Sequence, residues 1–346
     1  MLLRGKVEYA ISKIYFQIKI PKSWLNIFIC NSFQLMRGLE LRYFASFFFG
    51  KRNYSKMWTF GFGSNMSVAN VENKKGHKVL DHEVGVVKGY KMCFNIGAMS
   101  KVEPAFANAI KASDNDEIHG VAIKISEEDM AALDAQERAY DKIAVTVEGY
   151  SGRKIENCSM YSNTKANFLP LERQTPSSRY LNLLIRGALE ADLNQGYIDK
   201  LRATKTYVAN DETKAIRKAL PQPESLQPFT VEQLFATKSE SLGTQTDTGM
   251  KSGEHAYVAV LGYVIKMPRN KCFFSSHLGR DLSARSLRHF RGEPLDKNDD
   301  MGRPPYPILD KIKPEEVEYL YNWLDHYLEK GEVVGFVTEY LEQLNQ

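Results

Sequence analysis

The chain of 346 residues is long enough for two domains, and its composition, 43% hydrophobic and 25% charged, is ordinary for a globular protein. The net charge of +4 is unevenly placed: residues 1–56 carry ten of the 46 basic and two of the 42 acidic residues, which leaves 36 basic and 40 acidic residues elsewhere. An acidic body argues against a nucleic-acid surface. The four cysteines are far apart and form no metal-spaced pair, which favours free thiols in a reducing, cytoplasmic location.

The first 56 residues are apolar, aromatic and basic. They contain no apolar run near the roughly 20 residues that cross a bilayer, so no membrane span is predicted. Low acid content with scattered Arg and Lys is typical of an organelle transit peptide. The alternative is an extension that never folds, with Met57 as the working start. An organelle is therefore the alternative to a cytoplasmic location.

The first predicted strand contains Trp58 and Phe60 and ends in the Gly-Phe-Gly-Ser-Asn turn at residues 61–65. Such a turn can hold an anion, because successive backbone N–H groups converge where no side chain blocks approach. Met66 stands where a dinucleotide-binding loop would have its third glycine, and no Lys-Ser/Thr pair of a phosphate loop follows. An ordinary hairpin or strand–helix connection is the alternative.

The next elements complete a first domain at residues 57–205. Ser-Glu-Glu-Asp at 126–129 is a capping box that begins a helix ending near Glu137. Periodicity predicts two further helices and five strands; the helices lie at about Pro176–Leu193 and Tyr197–Arg202, and the strands at Val84–Gly97, Phe106–Lys111, Glu117–Ile125, Lys142–Glu148 and Lys154–Ser162.

The composition changes after this domain. Prolines and a Ser/Thr/Gly-rich stretch predict a mobile linker at residues 206–253. The pattern then predicts a strand at Tyr257–Lys266 and two helices, near Pro314–Lys330 and Phe336–Leu344. We interpret residues 254–346 as an accessory α+β domain of unknown role.

One carboxylate falls on the wrong face of the first helix. Met130, Leu133 and Glu137 share a face that should point at the core. Burial and the negative end of the helix dipole would both raise the pKa of Glu137, which suits a general acid/base near neutral pH. The alternatives are a frayed helix end with Glu137 in solvent, or a salt bridge to Arg138 or Lys142.

The turn and this helix together resemble the gamma-glutamylcyclotransferases. The pattern of that family is aromatic-x-aromatic-Gly-Ser-Asn, followed about 70 residues later by Leu-Asp-x-x-Glu, and it is matched by Phe60–Asn65 and Leu133–Glu137. Supporting matches lie at Gly89-Tyr90, Glu117–Val121, Cys158–Tyr161 and Pro176–Tyr180. The resemblance covers about residues 57–205 and implies an α+β fold, a small mixed β-barrel flanked by helices.

The resemblance also implies an activity. Family members convert a γ-glutamyl amino acid or amine to 5-oxoproline, by attack of the substrate's α-amine on its own γ-carbonyl, and they need no cofactor or metal. Carried over by position, Glu137 would be the general acid/base. The residues implied in binding the small-molecule substrate are Phe60, Gly61, Phe62, Gly63, Ser64, Asn65, Tyr140 and Tyr161.

Three departures from the family pattern keep the substrate open. Phe62 stands where the family commonly has Tyr, Arg138 stands where it usually has Gly, and the loop from Glu137 to Tyr140 is shorter than in some relatives. A gamma-glutamylamine cyclotransferase and a non-catalytic binding or regulatory protein that uses the same pocket are the alternatives. Whether the chain forms a homodimer also stays open.

Overall fold

The computed structural model describes residues 56–73, 76–97, 101–138, 140–164, 169–170, 173–242, 244–246, 249–251, 253–295 and 302–346. The predicted transit peptide or unfolded extension, apart from Lys56, lies outside these residues. The linker prediction also lies partly outside them.

A closed barrel of five strands forms the first half of the described chain. Its strands are neighbours in the order β1, β5, β2, β6 and β7, and β7 returns to pair with β1 in parallel. A separate antiparallel pair, β3 and β4, lies beside it. These strands are β1 (Lys56–Gly61), β2 (Asp81–Lys88), β3 (Tyr90–Gly97), β4 (Ala105–Lys111), β5 (Glu117–Ser126), β6 (Asp141–Gly149) and β7 (Lys154–Ser162).

Helices flank this barrel, and one hydrophobic core joins them to it. The side chains of Ile118, Ile123 and Ile125 on β5 are fully buried in that core, as is Leu184 on the longest helix of this half. The predicted α+β fold, a small mixed barrel with helices, is confirmed. The helices are α1 (Val68–Asn73), α2 (Glu127–Gln136), α3 (Ser178–Glu190) and α4 (Gln195–Arg202).

The rest of the described chain has a second core of its own, around a four-stranded sheet. We call the elements from α5 onward the C-terminal module. They comprise helices and strands, as the α+β prediction expected: α5 (Asp211–Lys218), β8 (Pro228–Phe229), α6 (Val231–Leu242), β9 (Thr244–Thr246), β10 (Gly249–Lys251), β11 (His255–Val260), β12 (Tyr263–Pro268), α7 (Ser283–Arg291), α8 (Pro314–Leu328), β13 (Glu332–Val337) and α9 (Thr338–Leu344).

Several element predictions were wrong in the same way, because each merged two elements. The strand predicted at Val84–Gly97 is divided at Gly89, whose φ is +76°, and the strand predicted at Tyr257–Lys266 is a hairpin that turns at Leu261 and Gly262, with φ of +53° and +81°. Several types of tight turn require positive φ at a central residue, which glycine adopts readily. The helix predicted at Phe336–Leu344 begins two residues later, because Phe336 belongs to β13 and pairs with β12.

The segment predicted as a linker is also different from that expectation. It contains α5 and α6, and Val231 and Leu234 of α6 are buried in the second core. The prolines and the Ser/Thr/Gly-rich stretch favour a linker, whereas the three-residue spacing of these two apolar side chains places them on one face of a helix.

Candidate functional site

All nine residues that the sequence assigned to a site lie around one pocket of about 50 Å³. They come from three parts of the fold: the end of β1 with the turn that follows, the end of α2, and strand β7. Two residues that were not predicted complete the lining. The full set is Phe60, Gly61, Phe62, Gly63, Ser64, Asn65, Ala107, Glu137, Tyr140, Tyr161 and Tyr180.

The turn after β1 forms one wall. Ser64–Met66 make a single 3₁₀ turn, closed by a hydrogen bond of 3.0 Å from the Met66 N–H to the Gly63 carbonyl. Gly61 is required here, because a Cβ at this position would overlap the backbone carbonyl of Asn65. The turn therefore folds back on the strand end and brings the Asn65 side chain to the pocket.

Glu137 lies opposite this turn. Helix α2 starts at a cap in which the Ser126 hydroxyl accepts the Asp129 N–H at 3.0 Å, as the capping box predicted. The Asp129 carboxylate accepts from the Ser126 hydroxyl rather than from the backbone. Met130 and Leu133 are buried, but the helix ends at Gln136, and Glu137 is the residue that follows it, with φ −95° and ψ 32°.

This change of backbone direction corrects the orientation expected for Glu137. Because the helical spacing stops at Gln136, Glu137 is half-buried at the pocket rather than turned into the core with Leu133. The Asn65 Nδ2 donates a hydrogen bond of 3.0 Å to its Oε1. Lys142, a predicted partner for Glu137, forms an ion pair with Asp134.

Three tyrosines line the same pocket, and each hydroxyl has a protein partner. Tyr140 donates to the Ala107 carbonyl at 3.2 Å, Tyr161 donates to Asp134 Oδ1 at 2.5 Å, and Tyr180 accepts the Ala107 N–H at 3.4 Å. Burial, with a smaller effect of the Glu137 charge, raises the pKa of Tyr140 to about 12. Burial likewise raises the pKa of Tyr161 and of Tyr180. All three therefore stay neutral near pH 7 and line the pocket as phenols.

The model of the AIG2-like family matches residues 117–201. These residues form an AIG2-like domain. The matched range runs from β5 to α4 and supplies Glu137, Tyr140, Tyr161 and Tyr180 to the pocket. The turn after β1 lies outside the matched range, although the same pocket includes it.

Three solved structures that are similar to part of this chain each cover less than half of it. A gamma-glutamyl cyclotransferase is 24% identical, with a TM-score of 0.38, over 47% of this chain and 99% of its own. An uncharacterised protein from Homo sapiens is 25% identical, with a TM-score of 0.38, over 47% and 98%. A gamma-glutamyl cyclotransferase specific to glutathione from yeast is 14% identical, with a TM-score of 0.32, over 42% and 94%. A search of the curated proteins gave no match.

Two residues of the pocket were missed by sequence reasoning. Tyr180 lies in the AIG2-like domain, as the last residue of the Pro-Ser-x-x-Tyr pattern, which signalled a helix start but not a pocket. Ala107 contributes backbone groups, which both Tyr140 and Tyr180 contact, and an alanine carries no chemical signal in a sequence. The family match at Pro176–Tyr180 was therefore the signal that could have pointed to Tyr180.

The pocket, which the AIG2-like domain shares with the turn after β1 and with Ala107, suits proton transfer. The half-buried carboxylate of Glu137 accepts a hydrogen bond from the Asn65 amide, and neutral phenols and a glycine-rich backbone turn line the same pocket. Within the described part of the chain, no group of three or more His, Cys, Asp or Glu residues could hold a metal ion. No helix among those residues is long and apolar enough to cross a membrane.

Proposed function

We propose that this chain is a gamma-glutamylcyclotransferase that converts a γ-glutamyl amino acid to 5-oxoproline and the free amino acid. The observation that carries the proposal is the hydrogen bond of 3.0 Å between Asn65 and Glu137, which are 72 residues apart. It joins the two motifs on which the sequence resemblance rests at a single pocket. The AIG2-like match over residues 117–201 supports the same assignment.

The reaction is intramolecular, so its two reacting groups arrive on one molecule. Holding them in attack geometry can contribute on the order of 7–11 kcal/mol to lowering the barrier. The pocket is small, about 50 Å³, and its lining of glycine turn and rigid aromatic rings would hold the γ-glutamyl group bent. The protein's first contribution is therefore to fold the substrate.

Proton transfer is the second contribution, and we assign it to Glu137. The substrate α-ammonium, with a free pKa of roughly 8, must lose a proton before its nitrogen can attack the γ-carbonyl carbon. Glu137 takes that proton. The nitrogen closes the five-membered ring on the γ-carbonyl carbon, and Glu137 gives its proton to the leaving amine as the bond between that amine and the carbon breaks. The ring nitrogen then loses a second proton through Glu137 to the released amine, which departs as an ammonium, so the ring ends as a neutral lactam and Glu137 as a carboxylate.

The turn at residues 61–65 would bind the charged parts of the substrate. Backbone N–H groups around Gly63, Ser64 and Asn65 would hold the α-carboxylate and support the negative charge that develops on the carbonyl oxygen. The Asn65 side chain has a separate role, because its Nδ2 is bonded to Glu137 and orients that carboxylate. The turn thus binds the substrate and positions the acid/base.

The test measures 5-oxoproline released from γ-glutamyl-alanine by the wild type, Glu137→Gln and Glu128→Gln. Glu128 is an exposed residue at the start of α2, so it provides the same isosteric change on the same helix, away from the pocket. We expect kcat to fall by about 10²- to 10⁴-fold in Glu137→Gln and to stay at the wild-type value in Glu128→Gln.

Three outcomes would each overturn part of the proposal. Equal rates for the wild type and Glu137→Gln would take Glu137 out of the mechanism. Release of 5-oxoproline from none of a panel of γ-glutamyl amino acids and amines would favour a binding protein. Release from the amines alone would assign the chain to the gamma-glutamylamine cyclotransferases.

A further inference from the structure

A buried carboxylate lies just outside the pocket, in the segment that leads into β4. Glu103 is only 5% exposed. A buried charge is costly unless it is paired and hydrogen-bonded. Here Oε2 accepts the Ser177 hydroxyl at 2.5 Å, and Oε1 is paired with the Nε of Arg179. Both partners belong to the start of α3, so this one carboxylate fixes the start of that helix.

The start of α3 is connected to the pocket through Tyr180. The hydroxyl of Ser177 caps the helix by accepting the Tyr180 N–H at 2.9 Å. The phenol of Tyr180 accepts the N–H of Ala107 at 3.4 Å, and its ring packs edge-on against Phe106 at 4.9 Å. Ala107 is four residues after Glu103. Glu103 is therefore connected to the pocket in two ways: through the cap of α3 to Tyr180, and along the chain into β4 to Ala107.

The C-terminal module holds the same segment from the other side. Val102 is fully buried in the second core, although it precedes the module by about a hundred residues. The neighbouring Lys101 forms an ion pair of 3.0 Å with Glu329 and a hydrogen bond of 3.3 Å with Thr213. Residues 101–103 are thus anchored in the module at one end and in the pocket wall at the other.

We propose that Glu103 is a positioning residue, through which the C-terminal module holds the Ala107–Tyr180 wall of the pocket in the shape that binds the γ-glutamyl group. The inference gives the module a role, and its kinetic part rests on the proposed function. Glu103 acts through Ser177 and Arg179 and makes no contact with substrate. Loss of the Glu103 carboxylate should weaken substrate binding more than it slows the proton transfer at Glu137.

The first arm of the test does not depend on activity. Amide hydrogen exchange of the full chain is measured for the wild type, Glu103→Ala, Glu103→Gln and Glu148→Ala. Glu148 is the control, since its carboxylate is half-exposed and forms a surface ion pair with Lys88. We expect exchange at residues 105–108 and 178–181 to be faster in Glu103→Ala. It should stay at the wild-type rate in Glu148→Ala. It should recover in part in Glu103→Gln, whose amide keeps one oxygen that accepts a hydrogen bond but has lost the second oxygen and the charge.

The second arm measures kinetics with γ-glutamyl-alanine on the folded variants. We expect Glu103→Ala to raise KM by about tenfold with kcat within about threefold of the wild type, and Glu103→Gln to raise KM by less than Glu103→Ala does. A residue with a merely structural role would lower the melting temperature and leave KM of the folded fraction unchanged. If Glu103→Ala does not fold, Val102→Ala, which shortens the anchor in the second core, should show the same changes at smaller size.

The inference is overturned if residues 105–108 and 178–181 exchange at the same rate in Glu103→Ala as in the control Glu148→Ala. It is also overturned if KM is unchanged in every folded variant of an active protein. An inactive wild type would remove the proposed function alone, because faster local exchange in Glu103→Ala would still support the positioning role.

Discussion

The barrel half and the C-terminal module both bury polar groups, but they use them differently. In the barrel half, Asn65, Glu137 and the pocket tyrosines converge on a cavity, and the carboxylate stays half-buried. In the module, buried charges neutralise one another: Arg217 binds Asp325 at 2.6 Å and Glu318 at 3.0 Å. The polar groups of the barrel pocket therefore face a cavity, whereas the charges of Arg217, Asp325 and Glu318 satisfy one another and stabilise the module.

The largest expected effect on stability tests this contrast in the module. Arg217→Ala leaves Asp325, only 2% exposed, in the interior without its guanidinium partner. Removing one partner of a buried pair typically costs about 3–5 kcal/mol. We expect the free energy of unfolding, measured by urea denaturation, to fall by that amount. Arg202→Ala is the control, because its pair with Asp199 is exposed and should be worth less than about 1 kcal/mol. Equal losses in the two variants would contradict the contrast.

The next effect is a loss of stability in acid. Burial lowers the pKa of His277 to about 3 and that of His326 to about 4. The unfolded chain binds protons at these histidines below about pH 6.5, while the folded chain does so only at the lowered values. The two neutral histidines therefore contribute fully to the free energy of unfolding above about pH 6.5. As the pH falls below that value, this contribution decreases by roughly 1.4 kcal/mol per pH unit for each histidine.

The measurement is the free energy of unfolding between about pH 7 and about pH 5. The wild type is compared with the double variant His277→Gln, His326→Gln. We expect a shallower decline in the double variant, because it lacks both groups whose proton binding differs between the two states. Parallel curves would show that these histidines do not set the acid sensitivity.

The smallest of these effects concerns the pocket and should spare stability. Asn65→Ala removes the amide that holds Glu137, and a misplaced acid/base typically costs up to about 100-fold in rate. We expect kcat for 5-oxoproline release to fall by roughly 10- to 100-fold, with the free energy of unfolding changed by less than about 1 kcal/mol. Asn73→Ala, at the exposed end of α1, is the control and should behave as the wild type. Similar rates for both variants would show that Asn65 does not orient Glu137.

Much of the barrel fold could be predicted from the sequence, because its elements follow local patterns. The strand at Lys154–Ser162 has the predicted bounds, and the cap at Ser126 forms as its capping box indicates. The errors arose where one glycine divides an apolar run, at Gly89 and at Gly262, since periodicity continues across a two-residue turn. Phe336 was misplaced because pairing with β12 determines its conformation.

The pocket was predictable to the extent that side chains carry motifs. The turn at residues 61–65 and Glu137 belong to the two matched patterns, and the structure brings them together. Ala107 takes part through its backbone, and Glu103 acts through the start of α3, so neither has a pattern of its own. The direction of Glu137 depended on where α2 ends, which helical spacing alone does not determine.

The most direct test of the account follows the fate of the γ-carbonyl group. The wild-type protein is given γ-glutamyl-alanine in water labelled with the heavy isotope of oxygen, and the products are analysed by mass spectrometry. Intramolecular attack predicts unlabelled 5-oxoproline and alanine in equal amounts, since no water oxygen enters the product. Labelled glutamate with alanine would show hydrolysis by an attacking water and would contradict the cyclisation on which the account depends.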